Sequence, residues 1–292
     1  KPHKIGTEWV SDGTNHWKVC TVCGGKQDVQ SHTGSTATCT QKAKCTVCNK
    51  EYGALKAHTY GNEWKTNANN HWHVCTICGN IKDGAAHTMQ TVTVTKATLT
   101  DDGKKVTKCS VCSKVTNTAA ISRIKSIKLA NNSYVYDGKA KKPSVSVTDG
   151  NGKVIAKTNY TVTYAKGRKT VGQYSVKITF KGDYKGSKTL TFTINPKATA
   201  LKSVTPASKA FTATWAKQTK QVDGYEVEYA LDDKFTSGAK KVAVTKNTTT
   251  SKKISSLKAK KTYYVRVRTY KKVGTTTYYG AWSKTKLSKK IK

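Results

Sequence analysis

Residues 3–33 of the chain recur at 58–88 without a gap, 55 positions later. Glu8-Trp9 aligns with Glu63-Trp64, Asn15-His16-Trp17 with Asn70-His71-Trp72, Val19-Cys20-Thr21 with Val74-Cys75-Thr76, Cys23-Gly24 with Cys78-Gly79, and His32-Thr33 with His87-Thr88. Each copy carries His-x3-Cys-x2-Cys-x8-His, two thiols and two imidazoles in a stretch too short to build a hydrophobic core of its own. A Cys-x2-Cys turn presents both sulfurs to one ion, and two further ligands complete a tetrahedral zinc site. The spacing therefore predicts one zinc ion on His16, Cys20, Cys23 and His32, and a second on His71, Cys75, Cys78 and His87.

Between the copies, Cys39, Cys45, Cys48 and His58 form Cys-x5-Cys-x2-Cys-x9-His, a candidate Cys3His zinc site. His3 occupies the place of His58 one period earlier, so its cysteine partners are expected upstream of Lys1. After the second copy, Ala97-Thr98-Leu99-Thr100 echoes Ala37-Thr38-Cys39-Thr40, and Cys109 and Cys112 persist with no histidine behind them. That module reads as degenerate, with a candidate disulfide between Cys109 and Cys112. Disulfides throughout are the competing reading, as in many small secreted domains. Nine cysteines cannot all pair within one chain, however, and adjacent Cys-x2-Cys pairs are a poor framework for closing long loops. The matching histidines favour structural zinc. A closed four-ligand site leaves no position for a reacting water, so catalytic zinc is not expected. Trp9, Trp17, Trp64 and Trp72 are expected to fill the modules beside the metal rather than to serve as sugar platforms.

The net charge is +37, and it rises along the chain. Residues 1–118 hold 15 basic against 8 acidic residues, 119–196 hold 15 against 3, and 197–292 hold 23 against 5. Such a field attracts polyanions. Lys outnumbers Arg almost completely, which argues against specific base readout, where the planar fork of Arg is preferred. The Cys/His modules are also the least basic third, and no recognition helix follows their ligands, so specific nucleic-acid binding is not expected. No run of eighteen apolar residues is present, and no membrane span is expected.

From Ile121 the cysteines stop and alternation of period two begins, most clearly in Tyr160-x-Val162-x-Tyr164, Tyr174-x-Val176-x-Ile178-x-Phe180 and Leu190-x-Phe192-x-Ile194. These segments predict half-buried antiparallel strands, with turns at Asp149-Gly150-Asn151-Gly152 and Gly182-Asp183. About seven short strands in a stretch of this size suggest an immunoglobulin-type sandwich, and Pro196 marks its end. The fold class expected for the whole chain is mainly β: small zinc-ribbon-like modules followed by two β-sandwiches. The expected divisions are 1–58 and 59–118 for the two Cys/His repeat units, 119–196 for the first sandwich and 197–292 for the second.

The last segment resembles a fibronectin type III domain. The residues that carry the likeness are Trp215 in an early strand, Gly224-Tyr225-Glu226-Val227-Glu228-Tyr229 in a middle strand, and Leu257 ahead of Tyr263-Tyr264-Val265-Arg266-Val267-Arg268. The resemblance implies that Trp215 and Tyr225 are core, that Leu257 plugs the sandwich, and that Tyr263 makes a corner hydrogen bond. Tyr278-Tyr279-Gly280-Ala281-Trp282-Ser283 is similar to the final strand of fibronectin domains that close many secreted proteins of anaerobic gut Firmicutes, so the natural C-terminus is expected near Lys292. With the His-Trp-x2-Cys-x2-Cys-Gly repeats and the bacterial immunoglobulin-like pattern from Ile121, the chain resembles the accessory region of a cell-surface multidomain protein. The resemblance implies an extracellular location and a role as spacer, wall attachment or adhesion.

Neither a Gly-x-Ser-x-Gly elbow nor a Gly-rich phosphate loop occurs, and the acidic residues are scattered, so an enzyme is not expected. The expected function is a non-catalytic spacer and attachment segment whose basic end associates with anionic cell-wall polymer. The alternative is an adhesion module that recognises host glycans or host proteins through exposed aromatics such as Tyr134, Tyr136, Tyr278, Tyr279 and Trp282.

Overall fold

The computed structural model describes residues 1–236 and 238–292. As expected for a mainly β chain, the described residues form strands and one 3-10 turn, Lys157–Asn159. They fall into two compact units, Lys1–Val92 with Val106–Ala119, and Thr93–Lys105 with Ala120–Lys292.

The first unit repeats one design. Strands Ile5–Ser11, Asn15–Cys20 and Lys26–Ser31 form an antiparallel sheet, and Lys65–Thr66, Asn70–Val74 and Ile81–Ala86 form its counterpart one period later. The turn before each His-Trp strand is closed by a side chain the alignment does not show as identical. Asp12 Oδ1 accepts from the amides of Thr14 and Asn15 at 2.9 and 2.8 Å, and Asn67 Oδ1 accepts from those of Asn69 and Asn70 at 2.9 and 2.7 Å. Asp and Asn are interchangeable here because each offers the carbonyl-type oxygen that an Asx turn needs. The small antiparallel pair Ala43–Lys44 and Glu51–Tyr52 carries the intervening module.

Every Cys-x2-Cys folds into the same knuckle. The residue after the second cysteine donates its amide to the first cysteine's carbonyl: Gly24 to Cys20 at 2.9 Å, Asn49 to Cys45 at 3.0 Å, Gly79 to Cys75 at 3.0 Å and Ser113 to Cys109 at 3.1 Å. That residue has positive φ in all four, 69°, 61°, 73° and 61°, which explains Gly and Asn at three of them.

In the second unit, Ile124–Leu129 pairs with Val145–Asp149, facing a four-stranded sheet in the order Ser133–Val135, Ser187–Asn195, Gly172–Phe180, Tyr160–Tyr164. The alternation read from the sequence is the burial pattern observed: Val176, Ile178, Phe180, Phe192 and Ile194 point into the core with Ile124 and Val147. One strand departs from the antiparallel expectation, because Ser133–Val135 runs parallel to Thr193–Asn195. The segment Thr93–Lys105, which composition assigns to the Cys/His modules, belongs to this unit. Ala97 is fully buried in the same core, and Gly103 has no room for a Cβ against the backbone of Thr95 and Ala97.

The final sandwich has one sheet of Leu201–Ala207, Ala210–Trp215 and Ser251–Ile254, and another in the order Lys240–Val244, Gly224–Ala230, Tyr264–Val273, Thr276–Tyr279. Lys286–Leu287 adds to the strand Tyr264–Val273. Trp215, Tyr225, Leu257 and Tyr263 are all buried between the sheets, as the resemblance implies. The Tyr263 hydroxyl accepts the amide of Lys258 at 3.1 Å, which ties the corner directly after Leu257. Tyr225 packs on Trp215 with ring centroids 5.2 Å apart, and its hydroxyl accepts from the Gln218 amide at 2.7 Å and donates to the Asn247 carbonyl at 2.9 Å.

Candidate metal centres

All nine cysteines and six of the seven histidines gather in four groups whose ligand atoms lie within 4.8 Å of one another. The groups are His16, His32, Cys45 and Cys48; Cys39, His58, Cys75 and Cys78; His71, His87, Cys109 and Cys112; and His3, Cys20 and Cys23. The twelve ligands expected from the sequence are all present, but they are shared out differently. Cys20 and Cys23 stand with His3 rather than with His16 and His32. Cys75 and Cys78 join Cys39 and His58 rather than His71 and His87. Cys45 and Cys48 leave the expected Cys3His set to join His16 and His32. Cys109 and Cys112 carry free thiols in a group with His71 and His87, not a disulfide.

The reason is strand geometry. His16 and Cys20 lie at opposite ends of the strand Asn15–Cys20. At about 3.3 Å per residue, four positions of extended chain separate them by about 13 Å, several times the span of one ion's ligands. The same holds for His71 and Cys75. Each knuckle therefore reaches donors of the preceding module, and the modules are laced head to tail.

The spacing of the ligand atoms suits an ion. Around a tetrahedral centre with bonds of about 2.3 Å to thiolate and about 2.05 Å to imidazole, the edges are about 3.8 Å for S···S, about 3.6 Å for S···N and about 3.3 Å for N···N. The Nδ1 atoms of His16 and His32 are 3.4 Å apart, as are those of His71 and His87. Cys45 Sγ lies 3.7 Å from His16 Nδ1, and Cys48 Sγ lies 3.5 Å from His32 Nδ1. In the third group, Cys109 is 3.8 Å from His71 and Cys112 is 3.5 Å from His87. Cys39 and Cys75 sulfurs are 3.7 Å apart, and Cys78 Sγ is 3.3 Å from His58 Nδ1.

Outer partners hold two of these ligands, His32 and His87, in the right tautomer. His32 Nε2 donates to the Asp12 carbonyl at 2.9 Å, and His87 Nε2 donates to the Asn67 carbonyl at 3.2 Å, leaving Nδ1 free to ligate. Asp12 and Asn67 thus close the turn with their side chains and orient a histidine with their carbonyls. Sequence reasoning missed both because they differ between the copies. Their common offset of 55 was the available signal. His16 and His71 are packed edge-to-face by Trp9 and Trp64, each at 4.6 Å, so these tryptophans serve the ligands as expected. Trp17 is buried, with the Lys26 ammonium 3.5 Å above its ring.

The knuckles also prepare the thiols. The amides of Cys23 and Val22 lower Cys20 to about 6, and those of Ile77 and Cys78 lower Cys75 to about 5. Burial works the other way on Cys45 and Cys109, but the amides inside their knuckles, together with the imidazoles of His32 and His87, outweigh it and leave them at about 5 and about 6. Cys39 sits in no knuckle, and burial together with the thiols of Cys78 and Cys75 pushes it up to about 11. A cation in the group reverses that shift. The four-ligand groups can each hold a metal ion.

The aromatics considered for recognition are largely engaged. Tyr134 packs edge-on against Phe192, and Tyr136 lies against the same core. The Arg268 guanidinium lies 3.6 Å above Tyr279 and 4.3 Å from Trp282, whose ring also takes Arg266 at 4.5 Å. These arginines are held in turn by Glu226 and Glu228, each at 2.6 Å.

No curated protein matches the chain. Among solved structures, the chain is similar to the chicken CNTN1 FN1-FN3 domains, with 14% identity and a TM-score of 0.31 over 100% of both chains. It is also similar to a β-1,2-glucanase from Parabacteroides distasonis, with 13% identity and a TM-score of 0.27, over 41% of this chain and 18% of that one. The family model of the fibronectin type III domain matches residues 195–285, the stretch in which Trp215, Leu257 and the Tyr263 corner were located, and that stretch is a fibronectin type III domain.

Proposed function

We propose that the chain is a non-catalytic spacer and attachment segment on the outside of a bacterial cell, with structural zinc lacing its Cys/His modules and its basic sandwich held by anionic cell-wall polymer. The observation that carries the spacer role is the sharing of each four-ligand group between consecutive modules. A metal so placed joins a module to its neighbour, and where four protein ligands surround it no position is left for a substrate. Cys2His2 and Cys3His donor sets with tetrahedral edge lengths suit zinc, and modules with few buried apolar side chains draw their folding energy from it. Fibronectin type III domains are generally spacer or recognition modules and are common in extracellular proteins, and among the described residues no helix is long and apolar enough to cross a membrane.

Attachment rests on where the charge is free. In the fibronectin domain Asp223 is paired with Lys271, Glu226 with Arg268, and Glu228 with Arg266. Lys252, Lys253, Lys258, Lys260, Lys261 and Lys272 remain exposed. Many exposed lysines suit a polyanion with repeated phosphate or carboxylate groups, bound by many weak contacts. Sedimentation with isolated cell walls, before and after removal of anionic polymer, tests the reading: retention that is unchanged by the stripping refutes it.

A further inference from the structure

The group of His3, Cys20 and Cys23 has one corner fewer than the other three. It reproduces the group of Cys39, His58, Cys75 and Cys78 one period earlier. Cys23 Sγ lies 3.4 Å from His3 Nδ1, against 3.3 Å between Cys78 and His58. The Thr21 amide donates to the Lys4 carbonyl at 2.9 Å, as the Thr76 amide does to that of Thr59. The later group also has the Cys39 thiol, buried and 3.7 Å from Cys75. At the earlier group the corresponding corner is open, with His3 and Cys23 both exposed and Cys20 buried. No other cysteine or histidine among the described residues is free to fill it. The remaining cysteines and five histidines occupy their own groups, and His73 is engaged by Asp83 at 3.4 Å and by the Trp64 ring at 3.8 Å.

We propose that His3, Cys20 and Cys23 form a fourth metal site whose remaining donor is a thiolate, as Cys39 is in the later group. The inference rests on the metal reading of the three closed groups and adds to it a fourth site. The donor is a thiolate because the equivalent corner one period later is Cys39, and a set of one imidazole and three thiolates is the one this backbone frame already builds. Lys1 and Lys4, on either side of His3, offset the extra negative charge of a third thiolate.

The test is a cobalt(II) titration of the metal-free chain, because the thiolate-to-cobalt charge-transfer absorption counts Co–S bonds. It is run alone, with a peptide of the sequence Ser35–Lys42, with that peptide carrying serine in place of its cysteine, and with glutathione. Three equivalents bind tightly and a fourth weakly. The cysteine peptide tightens the fourth about tenfold or more and adds charge-transfer intensity, while the serine peptide does neither. A stronger response to the peptide than to glutathione assigns the donor to a polypeptide, and an equal response assigns it to any small thiol. Cys23→Ser and, more gently, His3→Ala each abolish the fourth equivalent and spare the other three. A fourth equivalent that responds to no thiol overturns the proposal and leaves the closed sites standing. Fewer than three tight equivalents overturn the metal reading and this proposal with it.

Discussion

Cys45 Sγ stands 3.7 Å from Nδ1 of His16, 29 residues earlier in the chain, while Cys20, four residues from His16, belongs to another group. That single relationship changes what the repeats are. They are not beads each closed around its own metal, but a series in which every knuckle completes the site of the module before it. Disruption of one knuckle is therefore expected to be felt one module upstream.

Replacing Cys45 and Cys48 together by serine removes the ion held by His16 and His32, and tight metal content falls from three to two per chain. Replacing Cys20 and Cys23 leaves three. Elemental analysis of the purified variants reads both outcomes, and the reverse result restores the local pairing of His16 with Cys20.

Metal removal separates the two kinds of module. With a strong chelator the Cys/His region loses its structure, since its sites supply most of its folding energy. The fibronectin domain, with its own apolar core around Trp215 and Val227, melts at an unchanged temperature. Calorimetry with and without chelator shows the Cys/His transition lost and the fibronectin transition retained; a fibronectin transition that shifts as well contradicts independent folding.

The turn that carries Asn67 positions His87 through its carbonyl. Asn67→Ala removes the Oδ1 acceptor that closes this turn, and metal affinity at His71, His87, Cys109 and Cys112 drops about tenfold, the usual loss for an outer partner. Competition against a chromogenic chelator measures it. Asn67→Asp, which keeps the acceptor as Asp12 does, preserves affinity.

In the fibronectin domain, Leu257→Ala costs about 2–4 kcal/mol by opening a cavity between the sheets. Tyr263→Phe costs about 1 kcal/mol, because it removes only the acceptor for the Lys258 amide. Urea denaturation of the isolated transition distinguishes the two; equal and negligible effects refute the assigned register.

Wall binding is expected to be diffuse. A single change such as Lys260→Glu does almost nothing, since one exposed ion pair contributes little, whereas reversing Lys252, Lys253, Lys258, Lys260, Lys261 and Lys272 together abolishes retention. Raising salt from about 0.05 M to about 0.5 M releases the unmodified chain. Lys271 is left out because it is already paired with Asp223 at 2.9 Å. Retention that survives high salt and is competed by a defined sugar identifies a lectin-like adhesin instead.

The sequence by itself determined twelve candidate ligands, the period of 55 and the β class, because these depend on residue type and local alternation, while it read Cys109 and Cys112 as a disulfide instead of ligands. Trp215, Tyr225, Leu257 and Tyr263 could be placed in a core before any coordinates, because the resemblance to a fibronectin type III domain that they carry implies it. The pairing of knuckles with histidines was decided only by the tertiary structure. Short sequence separation suggested that His16 and Cys20 share an ion, but an extended strand carries them apart, and the chain must turn back through the next module before Cys45 and Cys48 arrive beside His16 and His32. Ala97 joined the core of the second unit for a similar reason. Its neighbours still echo the Cys/His repeat, and only packing against Ile121 and Tyr184 shows where a small apolar residue between two modules is buried, because burial depends on what the rest of the chain brings to it.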